Sequence, residues 1–237
     1  MKIALLGYGK MGKEIEKIAL ERGHEIILKS SSTTPIDLKK LKQASIAIEF
    51  SRPDVVAKNI HTCFDHRIPI VVGTTGWKED MMEIKNRCLD EGHSIFYASN
   101  FSVGINIFNE ISKQLTRLIS NYPEYKTSIE EVHHAKKVDK PSGTAILLAE
   151  GILENNDELT CWELDGDGKG ILPIHAERKD EVPGTHIIKH ESEIDSITFI
   201  HEAKSRKGFA LGAVLAAEFL PGKTGNYSMK DLIKLYL

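Results

Sequence analysis

The chain begins with a short apolar run, Lys2–Leu6, that leads directly into the glycine-rich sequence GYGKMG. Apolar residues at helical spacing follow over Lys13–Arg22. A strand, a G-x-G-x-x-G turn and a helix in this order open a dinucleotide-binding sheet, because the glycines allow a tight turn and close approach to a pyrophosphate. A glycine-rich turn that binds nothing is the alternative. The predicted cofactor contacts are Gly7, Tyr8, Gly9, Lys10, Met11 and Gly12.

Strand-like and helix-like runs alternate up to about residue 100, which predicts βαβ units and a parallel sheet. Beyond Phe101 a long helical run is followed by one further helix, Ala145–Ile152, and by mostly β-like segments with Gly and Pro turns. A helical run, a turn at Pro221–Gly225 and a short final helix close the sequence. We therefore predict an α/β chain with a dinucleotide-binding domain at 1–100, completed by 206–237, and an α+β domain at 101–205. The predicted strands are Lys2–Leu6, Glu25–Leu28, Ile46–Phe50, Pro69–Val72, Ser94–Ala98, Thr127–Val132, Thr160–Leu164, Gly170–His175, Gly184–His190 and Ser196–Glu202.

Composition narrows the class of protein. The 237 residues carry a net charge of −3 and only short basic runs, which disfavours nucleic acid as a partner. The 3 cysteines form no CxxC pair, which indicates a reducing compartment and neither disulfides nor a structural zinc site. We expect a cytoplasmic protein, since no run suits a secretory signal or a membrane span.

The segment after the second predicted strand bears on which cofactor is used. An NAD site usually offers Asp or Glu here to bind the ribose 2′-hydroxyl, but this chain has Lys29 followed by serines and threonines. A lysine among hydroxyls suits a 2′-phosphate, so NADPH is favoured over NADH. If Lys29 is only a solvated loop residue, NADH is equally usable.

Two further loops follow predicted strands, where open α/β sheets bind ligands. Their small and hydroxyl side chains would let a nicotinamide ring approach the backbone, although both loops could also be simple turns. The residues concerned are Gly73, Thr74 and Thr75 in the first loop and Ala98, Ser99, Asn100 and Phe101 in the second.

The most chemically loaded segment is EEVHHAKKVDKPSGTA at 130–145, between a strand-like and a helix-like run. His133 and His134 end the strand, and Lys137 follows after a short loop. The next residues, Ser142, Gly143 and Thr144, present hydroxyls and N–H groups at a helix N-terminus, which is a ready anion site. A solvated basic loop is the plain alternative.

Together these groups favour a pocket for an anionic substrate that also needs a proton. A histidine with a pKa near neutrality can donate that proton, while a nicotinamide supplies hydride to a C=C or C=N bond. A metal pair of His186 and His190 is disfavoured, because four residues along a strand separate them widely. No metal is expected.

Six sequence motifs resemble those of one family, 4-hydroxy-tetrahydrodipicolinate reductase (dihydrodipicolinate reductase) of bacterial lysine biosynthesis. The resemblance covers nearly the whole chain, and the 131–145 motif is the most specific part. The motifs are GYGKMG at 7–12, EFSRP at 49–53, VGTTGW at 72–77, ASNFSVGIN at 98–106, EVHHAKKVDKPSGTA at 131–145 and VPGT at 182–185.

The resemblance implies a Rossmann-type domain and a C-terminal mixed-sheet domain that builds a homotetramer. It implies reduction of a cyclic dicarboxylate with NADH or NADPH, with His133 as general acid and Lys137 as second donor. His134 would contact the substrate, while Gly143 and Thr144 would hold a carboxylate. Gly73–Thr75 and Ala98–Phe101 would line the nicotinamide, with Asn100 facing the ring or its carboxamide.

Two departures from the family pattern concern the cofactor. The glycine loop is one residue shorter than in the family, and the acidic residue after the second strand is absent, which leaves the cofactor preference open. Two alternatives remain at this point. One is another Rossmann-fold amino-acid dehydrogenase, which would not need the 131–145 motif, and the other is a non-catalytic NADP-sensing protein.

Overall fold

The computed structural model describes residues 1–179, 182–205 and 207–234, and the chain divides into two compact units. The first unit comprises Met1–Val103 and Lys207–Leu237, and the second comprises Gly104–Arg206. The predicted limits of 1–100 with 206–237 and of 101–205 differ from these by a few residues, and residues 206 and 235–237 lie outside the described part.

The first unit is built on a six-stranded parallel sheet, which confirms the prediction of βαβ units. Its strands are β1 (Lys2–Leu6), β2 (Glu25–Ser30), β3 (Ile46–Glu49), β4 (Ile70–Val72), β5 (Ser94–Tyr97) and β11 (Gly225–Tyr227). Across the sheet they are ordered β11-β5-β4-β3-β1-β2. The helices are α1 (Lys10–Glu21), α2 (Leu38–Leu41), α3 (Pro53–Asp65), α4 (Met81–Asp90), α7 (Lys207–Phe219) and α8 (Met229–Lys234), with a 3₁₀ turn at Lys78–Asp80.

Two apolar cores cover the two faces of this sheet, because side chains alternate between faces along each strand. Ile3 and Leu5 of β1 pack with α1, α7 and α8, while Ala4 and Leu6 of the same strand pack with α3 and α4. The sheet is thus the middle of three layers, and its strand order reverses direction at β1, between β2 and β3.

Helix α1 and strand β11 differ from the sequence-based expectation. Helix α1 begins at Lys10 rather than Lys13. The first N–H groups of a helix donate to no partner within the helix, so the helix can begin inside the glycine motif, before its apolar residues. Strand β11 was expected to be part of a turn; its Gly225 pairs with Ser94 of β5 and extends the sheet.

Glycine at position 212 allows α7 to lie against the backbone after β5. A Cβ at Gly212 would stand 1.8 Å from the Phe101 carbonyl oxygen, whereas a Cβ at Gly208 of the same helix would meet only the Ser102 Oγ at 3.8 Å. Gly212→Ala is therefore expected to destabilise the fold by about 3 kcal/mol or more. Gly208→Ala should be neutral or slightly stabilising because alanine favours helix. Urea unfolding of both variants measures this, and equal stabilities would contradict the packing described.

The second unit contains a five-stranded mixed sheet of order β10-β9-β6-β8-β7, which confirms the predicted mixed sheet. Strand β6 runs parallel to β8 and antiparallel to β9. The strands are β6 (Lys126–His133), β7 (Cys161–Leu164), β8 (Ile171–Arg178), β9 (Thr185–Glu191) and β10 (Ser196–Glu202), and the helices are α5 (Val103–Ile119) and α6 (Gly143–Leu153).

The apolar residues at the centre of one sheet face pack against α5 and α6. Ile129 of β6 lies opposite Ile174 of β8 and Ile188 of β9, and all three are fully buried with Leu148 of α6. The row beyond Ile129 on the same face carries polar groups instead. Over the described residues, no helix is both long and apolar enough to cross a membrane.

Candidate active site

The predicted cofactor loops of the first unit follow β1, β4 and β5, so they meet at the carboxyl edge of the parallel sheet. The first loop is shaped by glycine. Gly7 has φ +101°, and a Cβ there would stand 2.1 Å from the Phe50 carbonyl oxygen. A Cβ on Gly12 would stand 2.4 Å from the Gly7 carbonyl oxygen, whereas a Cβ on Gly9 would meet no atom within 4 Å. Gly9 thus leaves the start of α1 open to a ligand, as a pyrophosphate requires.

A cavity of about 870 Å³ opens beside this loop, at the point where the strand order reverses. It includes Gly7, Tyr8 and Gly9 of the predicted motif, but its described lining does not include Lys10, Met11 or Gly12. Its other walls come from the end of β2 and the segment after it, and from α3 with the residues just before and after that helix. They include Ser30, Ser31, Ser32, Thr34, Ser51, Arg52, Lys58, Asn59 and His66. The size suits part of a dinucleotide, and the position is where α/β sheets bind one.

Lys29 is directed to a different partner from the one predicted. Its Nζ lies 2.5 Å from Oε1 of Glu16 and 4.9 Å from the centre of the Tyr8 ring. Tyr8 also donates a hydrogen bond to Glu16. Lys29 is not among the described residues that line the cavity.

The loop after β4 is fixed by packing and hydrogen bonds. A Cβ on Gly73 would stand 2.2 Å from the Phe50 ring. Thr74 is buried; its Oγ1 accepts from the Ser51 N–H at 2.8 Å, and its carbonyl accepts from the Trp77 indole. Thr75 is exposed.

The loop after β5 combines a buried anchor with accessible polar groups. Phe101 is buried against Phe50 and Phe96, with ring centroids 5.5 and 5.8 Å away. Ala98 is buried and Ser99 is exposed, and Oδ1 of Asn100 accepts a hydrogen bond from the Ser102 N–H. The Phe101 side chain is therefore part of the core of the first unit.

In the second unit, strand register brings four ionisable side chains onto one sheet face. Glu131 of β6 lies directly opposite His186 of β9, and His133, two residues further along β6, lies opposite Arg178 of β8. Residues two apart on a strand, and directly paired residues on neighbouring strands, share a face. These four residues form a cluster, which we call the Glu131 cluster.

Glu131 is the centre of this cluster. Its carboxylate is fully buried and accepts hydrogen bonds from the Ser142 N–H at 3.1 Å to each oxygen, and from the Arg178 guanidinium at 3.0 Å to Oε1. Its Oε2 lies 3.5 Å from Nδ1 of His133 and 3.7 Å from Nε2 of His186. A buried carboxylate needs such compensation, and the guanidinium supplies it.

Burial affects both histidines of the cluster. It lowers the pKa of His133 below its ordinary value, an effect that the Glu131 carboxylate opposes and that Lys137 and Arg178 reinforce. Burial lowers the pKa of His186 to about 3, so this ring is neutral at pH 7. The two rings meet edge to face, with centroids 5.0 Å apart.

The turn after β6 holds the other predicted groups. His134 is half-buried and begins the turn, because β6 ends at His133. The Lys137 Nζ lies 2.8 and 2.7 Å from the two carboxylate oxygens of Asp139, which lowers the pKa of Asp139. Arg178 donates to the Asp139 carbonyl, so the turn and the Glu131 cluster are joined.

Helix α6 begins at Gly143 rather than at Ala145 because Ser142 caps it. The Ser142 Oγ accepts from the Ala145 N–H at 3.1 Å and lies 3.2 Å from Nε2 of His186. The Ser142 hydroxyl therefore contributes to the buried cluster, whereas Gly143 is exposed and Thr144 is half-buried at the helix start.

Glu131, His133 and His186 also have the spacing of a metal site, with one ligand atom from each within 4.8 Å of the others. A divalent cation there would stand beside Arg178, whose guanidinium already balances the carboxylate charge. We therefore interpret the cluster as charge-compensated by protein groups. His190, the other histidine considered, lies elsewhere on β9 and contacts the Thr127 hydroxyl at 2.9 Å.

Comparison with known proteins gives the class. Family models for the N-terminal and the C-terminal parts of dihydrodipicolinate reductase match residues 1–101 and 104–233. The 4-hydroxy-tetrahydrodipicolinate reductase of Christiangramia forsetii is 49% identical over 234 residues, covering 98% of both chains. That of Thermosipho africanus is 35% identical over 239 residues, covering 99% of this chain and 98% of the relative.

A solved structure supports the fold independently. The dipicolinate-bound dihydrodipicolinate reductase from Paenisporosarcina sp. TG-14 superposes with a TM-score of 0.77 at 20% identity, covering 96% of this chain and 97% of that one. This likeness bears on the fold alone, since the identity is low.

The fold and the family models define a Rossmann-type oxidoreductase that uses a pyridine nucleotide. The chain belongs to the dihydrodipicolinate reductase family. The predicted activity, reduction of 4-hydroxy-tetrahydrodipicolinate in the diaminopimelate and lysine pathway, is thereby confirmed at the level of the family. A non-catalytic sensor and another amino-acid dehydrogenase are not favoured.

Proposed function

We propose that this chain reduces 4-hydroxy-tetrahydrodipicolinate to tetrahydrodipicolinate, with His133 as the proton donor. The observation that carries the assignment is the placement of His133 in a buried carboxylate–guanidinium cluster, at the turn that also holds Lys137 and the start of α6. The bound nicotinamide would supply a hydride. The hydroxyl of the substrate leaves as water together with a hydrogen from the neighbouring ring carbon, which creates a C=C bond. The hydride adds to that bond, and the protein supplies the one proton that completes the reduction.

Lys137 is proposed to neutralise a substrate carboxylate and to act as a second donor. Its ammonium forms an ion pair with Asp139. Because the Asp139 side chain is largely exposed, a substrate carboxylate can compete with it for the Lys137 ammonium. Gly143 and Thr144 are proposed to hold a substrate carboxylate, because the N–H groups at a helix start favour an anion. His134, at the start of the turn after β6, is proposed to contact the substrate. Ser142 contributes by capping this helix rather than through a free hydroxyl.

The two units are proposed to have different roles, the first in binding the cofactor and the second in binding the substrate. The first binds the cofactor through Gly7–Gly12, Gly73–Thr75 and Ala98–Phe101, supported by the open Gly9 and the cavity beside it. The second binds the substrate and forms a homotetramer through its sheet, whose outer strand β10 exposes Ile197 and Ile200. Light scattering of the purified protein measures the assembly, and a monomeric mass would contradict the tetramer.

We place the enzyme in the cytoplasm, where its pyridine nucleotide is supplied.

NADPH is proposed as the preferred cofactor, because the segment after β2 offers hydroxyls to the cavity, and Arg52, whose guanidinium is paired with Asp54, also lines it. If Lys29 leaves Glu16 for a 2′-phosphate, Lys29→Met should raise the KM for NADPH severalfold and leave that for NADH unchanged. Lys13→Met, a change at an exposed lysine of α1, is the control. An equal effect of Lys29→Met on both cofactors would show that this lysine does not distinguish them.

The reductase activity itself is tested by loss of NADPH or NADH absorbance. The substrate would be generated in place from pyruvate and aspartate semialdehyde by a dihydrodipicolinate synthase. Rapid oxidation that requires the synthase is expected. Cofactor that binds but is not oxidised would contradict the proposed function.

A further inference from the structure

We infer that Glu131 is a positioning residue for the proton donor: its Oε2 holds His133 through Nδ1, so that Nε2 is the nitrogen that gives the proton. This inference rests on the proposed role of His133. It concerns a residue that is itself completely buried in the sheet.

The Glu131 carboxylate is fixed in place before any substrate binds. Both of its oxygens accept from the Ser142 N–H, and Oε1 also accepts from Arg178. With these contacts the carboxylate cannot rotate freely, and Oε2 remains 3.5 Å from Nδ1 of His133. A small closure of this distance gives a charge-assisted hydrogen bond when the ring is protonated.

The other side of the His133 ring packs against a glycine, which has room for the ring only because it carries no side chain. A Cβ on Gly184 would stand 3.0 Å from Nε2 and 3.1 Å from Cδ2 of His133. The carboxylate therefore faces one ring nitrogen, while the other ring nitrogen lies beside Gly184. This arrangement follows the general rule that the hydrogen bond at one ring nitrogen sets the chemistry of the other.

The charges around His133 set the direction of the expected pH effect. The carboxylates of Glu131 and Asp139 favour the protonated ring, whereas burial, Lys137 and Arg178 disfavour it. His186, packed against the ring, is neutral at pH 7. An acid catalyst works only while protonated, so activity falls as pH rises through the pKa of His133. Removal of the Glu131 charge lowers the pKa of His133, so the loss of activity with rising pH then occurs at lower pH.

The test compares Glu131→Gln with Glu130→Gln, a change at the neighbouring exposed carboxylate on the opposite face of β6. For Glu131→Gln we expect kcat to fall about 10²-fold, the lower end of what a positioned acid supplies. We also expect the descending limb of kcat/KM to move to lower pH, while the Kd of NADPH stays unchanged. Glu130→Gln should match the unmodified enzyme in all three measurements.

A purely structural role for Glu131 would change the melting temperature without moving the pH limb, and that result would overturn the inference. If Glu131→Gln keeps its kcat and pH profile while His133→Asn is inactive, the positioning role is wrong and the proposed function stands. If His133→Asn itself keeps a near-normal kcat, the proposed function fails.

A second measurement does not depend on a variant that folds. Nitrogen-15 NMR of the unmodified enzyme reports the tautomer of each histidine ring above its pKa, with the Nδ1–H form expected for His133. A neutral His133 that carries its proton on Nε2 would overturn the inference, because Nδ1 would then not donate to Glu131.

Discussion

His133→Asn is expected to lower kcat by about 10²–10⁴-fold, the usual contribution of a positioned general acid. The asparagine keeps a polar side chain of similar size in the Glu131 cluster but cannot deliver a proton. The affinity for the cofactor should be unchanged, because the cavity is lined by other residues. Steady-state kinetics with fluorescence titration of NADPH measures both quantities.

His175→Asn is the matched control for this prediction. His175 lies on β8 of the same sheet, but it is exposed and paired with Asp165. Its substitution should leave kcat within about twofold of the unmodified value, in line with a surface change. A near-normal kcat for His133→Asn would remove His133 from the mechanism.

Lys137→Met is expected to lower kcat by about 10²–10⁴-fold and to raise the KM of the substrate. Methionine replaces the length of the lysine side chain without its ammonium, so both the charge for a substrate carboxylate and the second proton are lost. The comparison is with Lys136→Met, the adjacent exposed lysine. Equal kinetics of the two variants would show that the charge at 137 has no special role.

Most of the first unit follows from local sequence patterns. The spacing of apolar runs and the glycine motif predict β1, α1 and the parallel sheet, because each depends on residues near one another in the chain. The three-residue strand β11 does not follow from such patterns, since its formation depends on pairing with β5 far earlier in the sequence. The apolar run that predicts α6 begins at Ala145, whereas the helix begins at Gly143, because the Ser142 hydroxyl accepts from the Ala145 N–H and caps it.

The candidate site was only partly predictable for the same reason. His133 and Lys137 lie in one conspicuous segment, but Glu131 was not singled out, and Arg178 and His186 join it only through the register of β8 and β9. Period-two spacing of Glu131 and His133 on one strand was the signal that could have linked those two. Lys29 is a prediction that local sequence made and the structure does not support. Its sequence context predicts a phosphate contact, but in the structure its ammonium forms an ion pair with Glu16 of α1.

The most direct test of the central claim follows the hydrogen that the ring receives. The reaction would be run in ordinary water with NADPH doubly deuterated at C4 of the nicotinamide, and the mass of the tetrahydrodipicolinate would be measured. A product that carries one deuterium from the cofactor is predicted, with its other new hydrogen from the protein and solvent. An unlabelled product, or none while the cofactor remains bound, would contradict the claim that this chain is a hydride-transferring reductase of the cyclic dicarboxylate.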